Sequence, residues 1–186
     1  MVASNKGSRT VIALVQNRAG VLARICGLFR RQGFNIASLA VGRSEQEGLS
    51  RMTFVVEGPE EVVRLVAAKL DRLIEVVKVE DISDKEHVYR EMVLIKLNAD
   101  NEKRGEILQL ANIFNVKTVD VGVDQMTIET TGDSKDIESL LELLEPYGVL
   151  EVMRTGRVAV LKSLEWKENK NENVLWKWYR QGINQI

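Results

Sequence analysis

The chain has 186 residues, room for one ordinary domain or two small ones, and 45% of them are apolar, enough for a real core. Its 26 basic and 27 acidic residues leave a formal charge of −1, so no field gathers nucleic acid or an anionic membrane surface. Cys26 and His87 are the only residues of their kinds, which excludes a disulfide framework and a soft-metal site built by this chain alone. A reducing, cytoplasmic location is expected from the cysteine usage. No apolar run of about 18 residues and no leader-like start occur, so a chain that neither spans a membrane nor is exported is expected.

Residues 1–8, MVASNKGS, read as a short disordered lead. Arg9–Gln16 is rich in Val, Ile and Leu and reads as a strand. The spacing of Val21, Leu22, Ile25, Leu28 and Phe29 predicts an amphipathic helix over Gly20–Gln32, and Gly33 suits its left-handed end. Asn35–Gly42 reads as a second strand. After the polar turn SEQEG comes a third, Ser50–Glu57, with Met52, Phe54 and Val56 on one face. Pro59 is placed to begin a helix over Glu60–Leu73, with Val62, Val63, Leu65, Val66, Leu70 and Leu73 on its apolar stripe. Val76–Ile82 closes the series as a strand, and the order β-α-β-β-α-β is the ferredoxin-like unit.

A charged connector, 83–87, precedes a second copy of that order over 88–161. Val88–Leu97 is its first strand. A helix over Asn101–Phe114 carries Ile107, Leu110, Ala111 and Phe114. Strands at Val116–Val121 and Met126–Thr131 flank the turn GVDQ. Asp133 starts a helix through Leu144, with Ile137, Leu140, Leu141 and Leu144 facing the core, and Val149–Ala159 reads as one last strand. The predicted fold class is α+β: two tandem ferredoxin-like βαββαβ domains, at 9–82 and 88–161, with antiparallel sheets and helices on one face. The tail, 162–186, is polar yet holds Trp166, Trp176 and Trp178. A polar extension and a helix that docks on a partner both fit it.

No GxSxG, Walker loop or GxGxxG occurs, so no catalytic residues are assigned. His87 lies at the junction of the two copies without an evident nucleophile and reads as structural, and Cys26 reads as an inert packed thiol. Base stacking of the RRM kind needs exposed aromatics on the central strands, and only Phe54 is available there. Recognition of an amino acid fits better. The N–H groups at the start of the first helix, around Gly20–Leu22, suit a carboxylate. Asparagine oxygens at Asn17 and Asn35 suit an ammonium group. Locally, Asn17 reads equally well as a plain N-cap, and Asn35 as a turn residue after Gly33. A helix of this length is about 20 Å long, so the two asparagines serve one ligand only if two subunits bring them together.

The block NRAGVLARICGLFRRQGFNIASLAVG, followed by LSRMTFVVEG, resembles the first ACT domain of the regulatory small subunits of acetolactate synthase (acetohydroxyacid synthase). The likeness runs through Asn17, Gly20, Leu22, Leu28, Phe29, Gly33, Phe34, Asn35 and Ile36, then Leu49, Ser50, Arg51, Met52 and Thr53. HVYREMVLIKL at His87–Leu97 and VMRTGRVAV at Val152–Val160 resemble the two ends of the family's second domain, which is ACT-like.

The resemblance implies a non-catalytic subunit that activates a separate catalytic large subunit and confers feedback inhibition by valine, with leucine or isoleucine in some members. It implies homodimers formed through the N-terminal ACT domains, with effector sites between copies. Asn17, Arg18, Ala19, Gly20, Val21 and Leu22 of one copy would then face Asn35 and Ile36 of the other. Thiamine diphosphate, Mg and FAD are expected only on the catalytic partner, with no cofactor or metal on this chain and neither nucleic acid nor membrane among its partners. The tail goes beyond the family's shorter pattern. The alternative is a stand-alone ACT-type sensor acting on a different enzyme.

Overall fold

The computed structural model describes residues 8–163. Most of the expected lead and nearly all of the tail, with its three tryptophans, lie outside the described residues; Ser8, assigned to the lead, opens the first strand.

The first half runs β1 (Ser8–Gln16), α1 (Val21–Gln32), β2 (Ile36–Arg43), β3 (Leu49–Glu57), α2 (Glu60–Leu70) and β4 (Val76–Asp81). The strands form one antiparallel sheet in the order β2-β3-β1-β4. The inner face of the sheet supplies Val11, Ala13 and Val15 from β1 and Met52, Phe54 and Val56 from β3. Against these pack Val21, Ile25 and Phe29 of α1 and Val63, Val66 and Leu70 of α2. Phe29 stacks on Phe54 with ring centroids 5.4 Å apart, which locks α1 across the middle of the sheet. The periodicity of α1 is therefore its docking face.

The second half runs β5 (His87–Asn98), α3 (Arg104–Ile113), β6 (Lys117–Val121), β7 (Gln125–Gly132), α4 (Ser134–Leu144), β8 (Val149–Arg154) and β9 (Val158–Leu161). Its main sheet has the order β6-β7-β5-β8, the same pattern as the first, and β9 pairs with the beginning of β5. Val93, Ile95, Leu97, Met126 and Ile128 meet Ile107 of α3 and Ile137, Leu140 and Leu144 of α4 in a second core. Asp133 caps α4 as expected, accepting from the Lys135 and Asp136 N–H groups at 2.9 and 3.0 Å.

Four expectations are corrected. The last strand is two: Gly156 has φ +77°, and the chain breaks at Thr155–Arg157 between β8 and β9. Leu65 is 45% exposed, because the stripe of α2 is narrower than its apolar content, and the helix ends at Leu70, with Leu73 packing from the following turn. The third helix begins at Arg104, since Asp100 Oδ1 accepts from the Glu102 and Lys103 N–H groups and holds the preceding residues in a turn. Cys26 is half-buried, not fully packed.

β1 and β3 are buried on both faces. Thr10, Leu14, Thr53 and Val55 point away from α1 and α2 yet are buried, and β9 lies against β3 on that side. The second half of the chain thus covers part of the outer face of the first sheet.

Candidate functional site

The segment between β1 and α1 is held by its backbone. Gln16 N–H donates to the Glu75 carbonyl and Asn17 N–H to the Gly48 carbonyl, both at 2.8 Å. Asn17, Arg18, Ala19 and Gly20 are exposed. Asn17 is not the N-cap: that place belongs to Gly20, at φ +86° and ψ −15°, and no side chain caps the helix. The Asn17 carboxamide makes no hydrogen bond among the described residues. A Cβ at Gly20 would meet nothing of this chain within 4 Å, so within the chain the glycine serves the left-handed backbone.

The result is an uncapped helix start. Val21 N–H reaches the Arg18 carbonyl at 3.4 Å, while the Leu22 and Ala23 N–H groups have no partner among the described residues. No acidic residue lies in the first turn to occupy them. Free N–H groups and the positive end of the helix dipole favour an anion here, and the nearby Arg18 guanidinium adds to that field. Val21 is buried in the core and anchors the turn, whereas Leu22 is 45% exposed and offers an apolar wall. Behind them Arg24 pairs with Glu75 at 2.6 Å, which ties α1 to the start of β4.

The other end of α1 is closed in a different way. Gly33, at φ +68°, donates to the Arg30 carbonyl, and Phe34 N–H donates to the Phe29 carbonyl, the paired bonds of a Schellman end. Asn35 follows and is exposed; its Nδ2 donates to Glu57 Oε2 at 2.7 Å, which leaves Oδ1 as an acceptor. Ile36 opens β2 beside Val56 and packs partly against the core. The structure therefore gathers Asn17, Arg18, Ala19, Gly20, Val21 and Leu22 at one end of the helix and Asn35 and Ile36 at the other. The 12-residue helix between them is about 18 Å long.

Arg51, part of the motif LSRMT, reaches Glu45 with both arms of its fork, at 3.0 and 2.7 Å, and closes the β2–β3 hairpin. The guanidinium lowers the Glu45 carboxyl to a pKa of about 2. The His87 Nδ1 lies 2.8 Å from the Lys85 carbonyl and its ring 5.9 Å from that of Tyr89, a structural setting. In the second half a cleft of about 240 Å³ is lined by Phe114, Thr130, Thr131, Asp136, Ile137 and Leu140, with Asp136 as its single titratable lining residue. Among the described residues no group of three or more His, Cys, Asp or Glu is placed to hold a metal ion, and no helix is long and apolar enough to cross a membrane. Neither Glu57 nor Glu75 has a local sequence signal for its role: the end of β3 brings Glu57 to Asn35, and the turn before β4 brings Glu75 to Arg24 of α1.

Known proteins match along most of this length. The family model for the AHAS small subunit-like ACT domain matches residues 12–78, and that for the small subunit of acetolactate synthase matches residues 90–163. A probable acetolactate synthase small subunit from Archaeoglobus fulgidus is 50% identical over 153 residues, which is 82% of this chain and 96% of the relative. The acetolactate synthase small subunit of Mycolicibacterium smegmatis is 44% identical over 153 residues, 82% of this chain and 90% of the relative. The crystal structure of the acetolactate synthase small subunit from Thermotoga maritima superimposes with a TM-score of 0.78 at 38% identity, covering 87% of this chain and 99% of that one. With both halves matched in order and the fold shared throughout, the chain belongs to the family of acetolactate synthase small subunits, a regulatory family built on ACT domains.

Proposed function

We propose that this chain activates a thiamine-diphosphate-dependent catalytic large subunit of acetolactate synthase and confers feedback inhibition by valine in branched-chain amino acid biosynthesis, with leucine and isoleucine as further candidate effectors. The observation that carries the reading is the uncapped, exposed start of α1 behind Asn17, at the tip of a matched ACT domain. The effector carboxylate sits on the Leu22 and Ala23 N–H groups beside Arg18. Its ammonium group meets Oδ1 of Asn17 and Oδ1 of Asn35 from a second copy, and its side chain lies against Leu22 and the second copy's Ile36.

A dimer is needed because the two halves of that site lie at opposite ends of one helix. β2 supports it: among the described residues the strand pairs only with β3 and leaves its other backbone edge open, with Ala37, Val41, Gly42 and Arg43 exposed. Pairing of two such edges brings the segment after α1 of one copy toward the helix start of the other. This chain carries no cofactor in the proposal; thiamine diphosphate, Mg and FAD stay on the catalytic partner, in the cytoplasm.

Calorimetric titration of the full chain with valine, leucine and isoleucine tests the effector site. Saturable binding of valine that disappears in Asn17→Ala is expected, and a wild-type chain that binds none of the three refutes it. Adding the chain to the catalytic subunit then separates an activator from a stand-alone sensor, since only the former raises acetolactate formation from pyruvate.

A further inference from the structure

The break between β8 and β9 has a specific seat. Gly156 lies against β2 so closely that a Cβ on it would stand 2.6 Å from Ser38 Oγ and 3.4 Å from the Leu39 carbonyl. Its φ of +77° also disfavours any side chain. The next residue, Arg157, donates its backbone N–H to Ser38 Oγ at 2.8 Å. Its guanidinium reaches in two directions: Nη1 donates to Thr10 Oγ1 of β1 at 3.2 Å, and Nη2 to Ser134 Oγ at the start of α4 at 3.1 Å. The same group lies over the Tyr89 ring of β5, 4.3 Å from its centroid. One half-buried residue thus joins the two halves: its backbone N–H holds Ser38 of β2, while its side chain binds β1, the start of α4 and the Tyr89 ring of β5.

Ser38 lies two residues beyond Ile36, on the strand whose head forms one side of the proposed effector site. The register of β2 against β3 shifts between Ile36 and Ser38. An irregularity of that kind interrupts the ladder locally and bends the strand, so the head of β2 is aimed separately from the rest. From the second half of the chain, Gly156 and Arg157 both contact Ser38.

We infer that Arg157 is a coupling residue: it relays occupancy of the effector site from the head of β2 to the second half of the chain, and so to the catalytic partner, without touching the effector. The inference rests on the functional reading above. It assigns the relay to a backbone N–H on Ser38 whose position is fixed by a fork bound to Thr10 and Ser134 at once, which a lysine does not reproduce because a point charge neither bridges two hydroxyls nor stacks on a ring in the same way.

The test uses the full chain, alone and reconstituted with the catalytic subunit. In the variants Arg157→Ala, Arg157→Lys and Ser38→Ala three quantities are measured: valine affinity of the free chain, activation without valine, and maximal inhibition by valine. Expected are unaltered valine affinity and retained activation, with inhibition reduced by about fivefold or more in both Arg157 variants, the lower end of ordinary allosteric couplings, and by less in Ser38→Ala. Linkage adds a readout that a packing role would not move: the catalytic subunit shifts valine affinity in the wild type and no longer does so in Arg157→Ala. Inhibition that stays normal in all three variants overturns the inference, and so does an Arg157→Ala chain whose valine affinity falls as far as its inhibition. If Arg157→Ala fails to fold, Ser38→Ala, which removes a single hydrogen bond, decides. A wild-type chain that binds no branched-chain amino acid is a different failure: it refutes the effector reading, and the relay with it.

Discussion

Gly20 carries two separable loads. Its backbone is left-handed, a conformation that costs an L residue about 1–2 kcal/mol, while the space around its missing Cβ is open. Gly20→Ala therefore tests the backbone alone, and a small fall in thermal stability with valine response largely kept is expected. Gly20→Asp adds a carboxylate where the effector's own would sit. Abolished valine inhibition with activation intact is expected in the holoenzyme, and retained inhibition would move the site elsewhere. The Arg51–Glu45 pair is a structural clamp with a pH signature. The two side chains are 42% and 59% exposed, so the pair contributes less than about 1 kcal/mol. Because folding lowers the Glu45 pKa to about 2, that contribution is fully present above the ordinary glutamate range and is lost as pH falls toward 2. Urea unfolding of wild type and Arg51→Gln should differ slightly at neutral pH and converge in acid.

The elements differ in what holds them. α1 carries one aromatic contact in its docking face, Phe29 stacked on Phe54, both fully buried. Phe54→Ala should cost about 3–5 kcal/mol and unfold the first half at a lower denaturant concentration than the second. Among the described residues β2 is strand-paired along one edge only, and its role depends on what pairs with the other. Val41, 49% exposed on that edge, is the position to test. Val41→Lys places a charge that natural edge strands use to block pairing. Loss of the dimer in sedimentation velocity, together with loss of valine response, is expected; a dimer that persists would place the interface on another surface. Most elements were legible because apolar residues recur at the period of a helix or strand, as in Ile25, Leu28 and Phe29 or Met52, Phe54 and Val56. The split of the last strand was not. β-branched and apolar residues continue through Val149–Ala159, and nothing local distinguishes Gly156 as a hinge from Gly156 as a tolerated strand residue.

Across the whole molecule the proposed function is a coupling between two binding events, and coupling is reciprocal. Valine should weaken the chain's hold on the active state of the catalytic subunit by the same factor, on the order of 5–150-fold, as that subunit weakens valine binding. Titrating valine into free chain and into holoenzyme measures one side, and titrating catalytic subunit with and without valine measures the other; unequal factors would show that more than one linked equilibrium is present.

The order of elements, the two cores, the glycine ends of α1 and the resemblance carried by Asn17–Ile36 were all set by the sequence itself, because periodicity, capping chemistry and motif spacing are local properties. Only the tertiary structure decided that Asn17 is not a cap, that Glu57 holds the Asn35 amide, and that Gly156 and Arg157 seat the second half on β2. The contacts of Asn35 with Glu57 and of Arg157 with β2 join residues 22 and 119 positions apart. No local propensity encodes such contacts; they exist only once two sheets have closed and one has come to rest on the other.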